Sequence, residues 1–154
     1  MTSRVHGTDE HLDDDLSVAV RCRRDASARV RFGGPRAVDA DCVHHSVELQ
    51  APGLTARVDD VVAWRREDGL AAFLDALAAD YRGWDGARTW RTPDRDLAVS
   101  AVFGSGGHVG LTWTVRPWRH AAGDWSASVT VWLEAGEQMA TLAADIRHLL
   151  AGRA

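Results

Sequence analysis

The chain has 154 residues and a formal net charge of −4, and no run of apolar residues approaches the length of a membrane span. That charge disfavours a nucleic-acid partner, and two cysteines, Cys22 and Cys42, are too few for a disulfide scaffold. A domain of this size buries roughly 68–70% of its unfolded surface, enough for one core without staples.

All eighteen basic residues are arginine, so every side-chain cation can fork onto a carboxylate or stack on an indole. Seven tryptophans are many for this length, and some of them must be core, because seven exposed indoles would aggregate. Residues 1–15 are polar, with Asp9, Glu10, Asp13, Asp14 and Asp15 clustered, and read as a flexible, solvated acidic lead. They lack a charged start followed by an apolar stretch, so the expected location is the cytoplasm.

Residues 16–151 read as a single α+β domain. Leu16, Val18, Val20 and Cys22 alternate with more polar residues, a half-buried strand. Val30 and Phe32 repeat the pattern until Gly33-Gly34-Pro35, which is expected to break it. Val43, His45, Val47 and Leu49 form a third strand. After the turn at Pro52-Gly53, Leu54, Ala56 and Val58 form a fourth. The period then changes. Leu70, Phe73, Leu74, Leu77, Ala78 and Tyr81 make one helical stripe, with Gly83 as the expected stop.

Strands resume near Trp90. Leu97 to Phe103 and Val109 to Val115 alternate around a Gly104-Ser105-Gly106-Gly107 hairpin. A longer connection follows, then a strand from Trp125 to Leu133. Met139, Leu142, Ala143, Ile146 and Leu149 stripe a closing helix. The expected architecture is mostly antiparallel sheet, seven to eight strands in two meanders, with two amphipathic helices packed on one face. The uncovered sheet face would carry Ser126, Ser128, Thr130 and Trp132 beside Gly110, Thr112 and Thr114.

Between the first helix and the next strand lies Tyr81-Arg82-Gly83-Trp84-Asp85-Gly86-Ala87-Arg88-Thr89-Trp90-Arg91. Two indoles and three guanidinium groups at a helix–strand junction fix the architecture or form a recognition patch, since Trp and Arg are enriched at binding hot spots. From Phe73-Leu74 through Gly83-Trp84-Asp85-Gly86 to Trp90, and again from Leu133 through Glu134-Ala135-Gly136-Glu137, the chain resembles an actinobacterial small-protein family of unknown function, domain-of-unknown-function family 6228. The likeness spans roughly Leu16 to Leu150 and rests chiefly on the Gly-Trp-x-Gly-x-x-x-Trp spacing. It implies a small cytoplasmic α+β protein and carries no activity or catalytic residues with it.

The residues themselves point to no catalytic set. Cys42, His44 and His45 lie close in sequence, but on a strand His45 faces away from the other two, so no metal site or cofactor is expected. The glycine-rich Phe103–His108 stretch lacks the helix and lysine of a phosphate loop. The leading expectation is therefore a non-enzymatic protein-interaction module, comparable in size and acidity to immunity proteins. Its candidate surface is Trp84, Arg88, Trp90, Arg91, Trp118, Arg119 and Trp132. Alternatives are a small-molecule-binding domain or enzyme, walled by Trp113, Trp125 or Trp132 and anchored by Arg88, His45 or His108, and a homodimer paired through the open sheet face. A protein partner is expected, and neither nucleic acid nor membrane.

Overall fold

The structure, a computed structural model, describes residues 16–65 and 68–151; the acidic lead lies outside the described residues. Among the described residues eight strands and two helices follow in the order β1 (Val18–Arg21), β2 (Arg29–Ala37), β3 (Cys42–Ala51), β4 (Leu54–Trp64), α1 (Leu70–Ala79), β5 (Ala87–Arg91), β6 (Leu97–Gly104), β7 (His108–Val115), β8 (Ala127–Glu134) and α2 (Glu137–Ala151). The fold is α+β and mostly antiparallel sheet.

Each meander makes its own four-stranded sheet, β1-β2-β3-β4 and β5-β6-β7-β8. The two are joined edge to edge only locally. Arg23 N–H donates to the Trp132 carbonyl at 2.8 Å, Trp132 N–H donates to Cys22 Sγ at 3.3 Å, and Arg23 pairs with Glu134. The helix at 70–79 lies between the meanders in the chain, and β4 and β5 on either side of it do not pair.

The period-two pattern decides how these sheets pack. Val30, Phe32, Val47, Leu49 and Val58 fill one face of the first sheet, and Leu97, Val99, Leu111, Trp113, Val129 and Val131 fill one face of the second. These faces share one core. At its middle Phe32 meets fully buried Trp113 edge to face, ring centroids 5.1 Å apart. Leu70, Leu74 and Leu77 of α1 and Met139, Leu142, Ala143, Ile146 and Leu149 of α2 join the same core. The helices pack on each other, and α2 rests on β8, β1 and β2.

Several boundaries differ from the sequence pattern, β4 among them, which runs on past Val58 to Trp64. Gly33-Gly34-Pro35 does not end β2; the strand continues to Ala37 through a shift in register between Gly33 and Arg36, where proline's missing N–H breaks no ladder bond. Helix α1 stops at Ala79, with Asp80 at its C-cap, ahead of Gly83. Gly83 answers a different need: φ is +114°, and a Cβ there would come within 2.9 Å of the Phe103 ring. Trp125 precedes β8 and is exposed.

Outward, the second sheet presents hydroxyls in register. Thr112 bonds Thr130 at 2.8 Å and Thr114 bonds Ser128 at 2.7 Å across the β7–β8 ladder. Trp132 lies flat on this face over Gly104 and Gly110, with the Arg24 guanidinium 4.0 Å above its ring. A Cβ at residue 110 would sit 2.8 Å from the indole. Gly110→Ala is therefore expected to cost about 1–3 kcal/mol in denaturant unfolding. Trp132→Ala in the same chain should remove most of that penalty, so the two effects will be strongly non-additive. Additive losses would show that Trp132 does not hold this position.

Candidate functional site

The junction segment works as a clamp on α1. A ten-residue helix is about 15 Å long, and six residues of nearly extended chain reach up to about 20 Å. Two indoles six residues apart on the returning chain can thus reach both helix ends. Trp90 Nε1–H donates to the Asp68 carbonyl at 2.9 Å, at the N-terminal end. At the other end Arg88 pairs with Asp80 and stacks 4.8 Å over the Trp84 ring. Trp84 itself packs on Phe103 and donates Nε1–H to the Ala101 carbonyl at 3.2 Å.

Held this way, the start of α1 stands apart from the end of β4 and leaves a cavity of about 650 Å³, within the usual range for small-molecule pockets. Its walls come from four separate elements: Trp64 and Arg65 at the end of β4, Leu70 and Ala71 on α1, Trp90 to Pro93 on and after β5, and Arg147 and Leu150 on α2. His45 lines it from β3. No local motif could have announced such a set, since its members are scattered from residue 45 to residue 151. The Trp64-Arg65 pair, an aromatic beside a cation where a strand gives way to a helix, is the one signal the sequence offered for the β4 wall.

Three arginines and Asp68 border this space. Arg65 donates to the Ala40 carbonyl at 3.3 Å, and Arg147 is paired with Asp75 across the helix pair. Arg91, on the edge strand β5, is exposed and has no hydrogen-bond or ion-pair partner among the described residues. Thr92 is buried, and its hydroxyl is held in the β5–β6 turn by Asp96 and Leu97.

His45 is 4% exposed. Burial pulls its pKa down to about 4, with a smaller repulsion from His44. Nδ1 lies 3.3 Å from the Ser46 carbonyl, which can only accept. The proton therefore sits on Nδ1, and Nε2 is left as the acceptor of a neutral ring. His44 takes the opposite face, 3.7 Å from Asp60. Among the described residues no group of three His, Cys, Asp or Glu side chains gathers around a point. Both cysteines are buried and free. Burial raises the Cys22 thiol, but hydrogen bonds from the backbone N–H groups of Trp132, Asp25 and Arg24 outweigh it and leave its pKa lowered; Cys42 is raised by burial and by Asp39.

The seven candidate surface residues do not form one patch. Trp90 and Arg91 border the cavity. Trp84 and Arg88 are half-buried against α1 and β6. Trp132 is pressed on the outer face of the second sheet. Trp118, 59% exposed and packed on His120, stands with Arg119 in the β7–β8 connection. His108 lies at the β6–β7 hairpin, away from the cavity that His45 lines. No helix among the described residues is long and apolar enough to cross a membrane.

Residues 21–153 match the Family of unknown function (DUF6228). The chain belongs to this family. The match runs from the last residue of β1 through α2, so the DUF6228 pattern covers β2 to β8, both of these helices and every wall of the cavity. No curated protein and no solved structure matches the chain.

The buried imidazole has a consequence for stability. The unfolded chain takes up a proton at His45 near pH 6.5, whereas the folded protein resists it until about pH 4. The contribution is thus complete above pH 6.5 and is lost as pH falls toward 4, about 3 kcal/mol in all. His45→Phe keeps a ring beside Phe32 and removes the titration. Unfolding free energies at pH 7 and pH 4 should therefore differ by about 3 kcal/mol less in the variant than in the native chain. Equal acid sensitivity in the two proteins would show that His45 is not held neutral.

Proposed function

We propose that this DUF6228 protein is a ligand-binding module whose cavity takes a compact, mainly apolar molecule carrying one acidic group. The observation that carries this reading is Arg91, a cation without a partner at the border of a cavity walled by Trp64, Trp90, Leu70 and Leu150. Apolar walls with a few polar groups are the usual make-up of small-molecule sites, because burial supplies affinity and the polar group sets orientation. An unpaired guanidinium at the border suits a carboxylate, sulfonate or phosphate, which it can engage through two parallel N–H bonds. The neutral His45 ring adds an acceptor without adding charge.

The distribution of these residues supports the small-molecule alternative over the interaction module. The tryptophan–arginine surface that the module would use is divided among separate places, whereas the cavity collects residues from five elements into one space.

The test uses two dyes of nearly the same shape, 1-anilinonaphthalene-8-sulfonate and its uncharged analogue N-phenyl-1-naphthylamine, followed by fluorescence. The sulfonate should saturate at one site and bind more tightly than the neutral dye. Arg91→Ala should weaken the sulfonate about tenfold and leave the neutral dye unchanged. Ala71→Trp, which places an indole in the cavity, should abolish both while the protein remains folded by near-ultraviolet circular dichroism. Dye binding that survives Ala71→Trp would rule out this cavity.

A further inference from the structure

The face of the first sheet turned away from the cavity has an unusual charge pattern. Register places Ala19, Arg31, Glu48 and Arg57 side by side across the four strands. The next row is Arg21, Arg29, Gln50 and Thr55. Four arginines thus share eight positions with a single carboxylate, in a chain whose net charge is −4. Arg21 stands directly opposite Arg29. Like charges in that relation destabilise a sheet, so folding alone gives no reason for the pair.

Arg31 has contacts of its own, and the bonds within the face leave Arg21 outward and engage Arg29 and Arg57 only in part. Glu48 accepts from Gln50 at 2.9 Å and lies 4.0 Å from Arg57. Gln50 accepts from Arg29 through Nε only. Arg57 donates Nε to Asp59 at 2.9 Å, at the margin. Arg21 is exposed and has no hydrogen-bond or ion-pair partner among the described residues.

We propose that this arginine face is a docking surface for an acidic polypeptide segment lying extended along the strands. Arginines on one face of a strand repeat every two residues, about 6.6 Å apart, and those on neighbouring strands stand about 5 Å apart. Carboxylates at alternate positions of an extended segment have the same repeat. Guanidinium forks match carboxylates in pairs, and a face of this kind rejects basic partners by repulsion. Nucleic acid fits less well, because its dense line of phosphates would meet the acidic remainder of the chain. The surface is independent of the cavity: His45 faces inward from β3, and Glu48 and Gln50 face outward from the same strand.

The test is fluorescence anisotropy at low salt with the full chain and three labelled probes: a twelve-residue peptide alternating glutamate and serine, its glutamine counterpart, and a twenty-nucleotide single strand of DNA. The glutamate peptide should bind and the glutamine peptide should not. Affinity should fall as salt rises from 50 to 500 mM. The double variant R21Q/R57Q should bind about tenfold more weakly, with an unchanged melt because both side chains are exposed. Thr130→Ala, on the outer face of the other sheet, should leave binding unaltered. The proposal is overturned if the glutamate peptide does not bind, if both peptides bind alike, if the double variant keeps native affinity, or if DNA binds more tightly than the peptide.

Discussion

The structure depends on the meeting of two one-sided sheets. Each meander alternates along most of its length, so each has one face that must leave water and one that tolerates it. A four-stranded sheet alone has nowhere to put the apolar face. Pressing the two together solves the problem for both, and the Phe32–Trp113 contact stands at the centre of that solution. Trp113 has no exposed surface, and its indole N–H has no hydrogen-bond partner among the described residues. The core therefore accepts an unpaired donor there, an expense offset by the large apolar area that one indole removes from water. Everything outside follows by subtraction. The outer face of one sheet is hydroxyl and that of the other is guanidinium, because neither is needed to hold the sheets.

The cavity arises from the same arrangement. Helix α1 interrupts the two meanders, and the chain must return alongside it to start the second sheet. Trp90 fixes that return at the start of α1 through the Asp68 carbonyl, Arg88 fixes it at the other end through Asp80, and Trp84 anchors it to β6 through Ala101 and Phe103. A rigid return of this kind keeps the end of β4 and the start of α1 from collapsing on each other. Tryptophan suits the task because its ring packs while its N–H reaches a carbonyl. Trp90 both ties α1 down and walls the space beside it.

The elements were legible in the sequence because each is a local matter. Alternation marks Val43 to Leu49 as a strand, and the stripe from Leu70 to Leu77 marks a helix, whatever surrounds them. The family likeness was legible for a similar reason, since it rests on the short Gly83-to-Trp90 spacing. The division into two sheets was not legible, because a meander's period does not say which edges pair. Nor was the role of Gly110, which depends on Trp132 arriving from the neighbouring strand. The cavity was the least accessible, since Trp64, Leu70, Trp90 and Leu150 become neighbours only once both helices are docked. His45 and the tryptophans could be named in advance as wall or anchor material, but their grouping could not. Trp113 and Trp132, expected beside a pocket, are instead the centre of the core and a plate on the outer sheet face.

The uniform use of arginine gives the charged surfaces a property that lysine and histidine would not. A guanidinium keeps its proton through any pH at which the protein is folded. Arg91 at the cavity border and Arg21 on the outer face therefore hold constant charge, and pH acts on them only through their acidic counterparts. His45 is the opposite case. Its charge is excluded by burial, and admitting a proton would place a cation in the wall between cavity and core. Under the proposed ligand-binding reading, a fixed cation at the border and a neutral ring inside would divide the labour of recognition: the first would set which ligand charge is accepted, and the second would keep the interior apolar enough for burial to supply affinity.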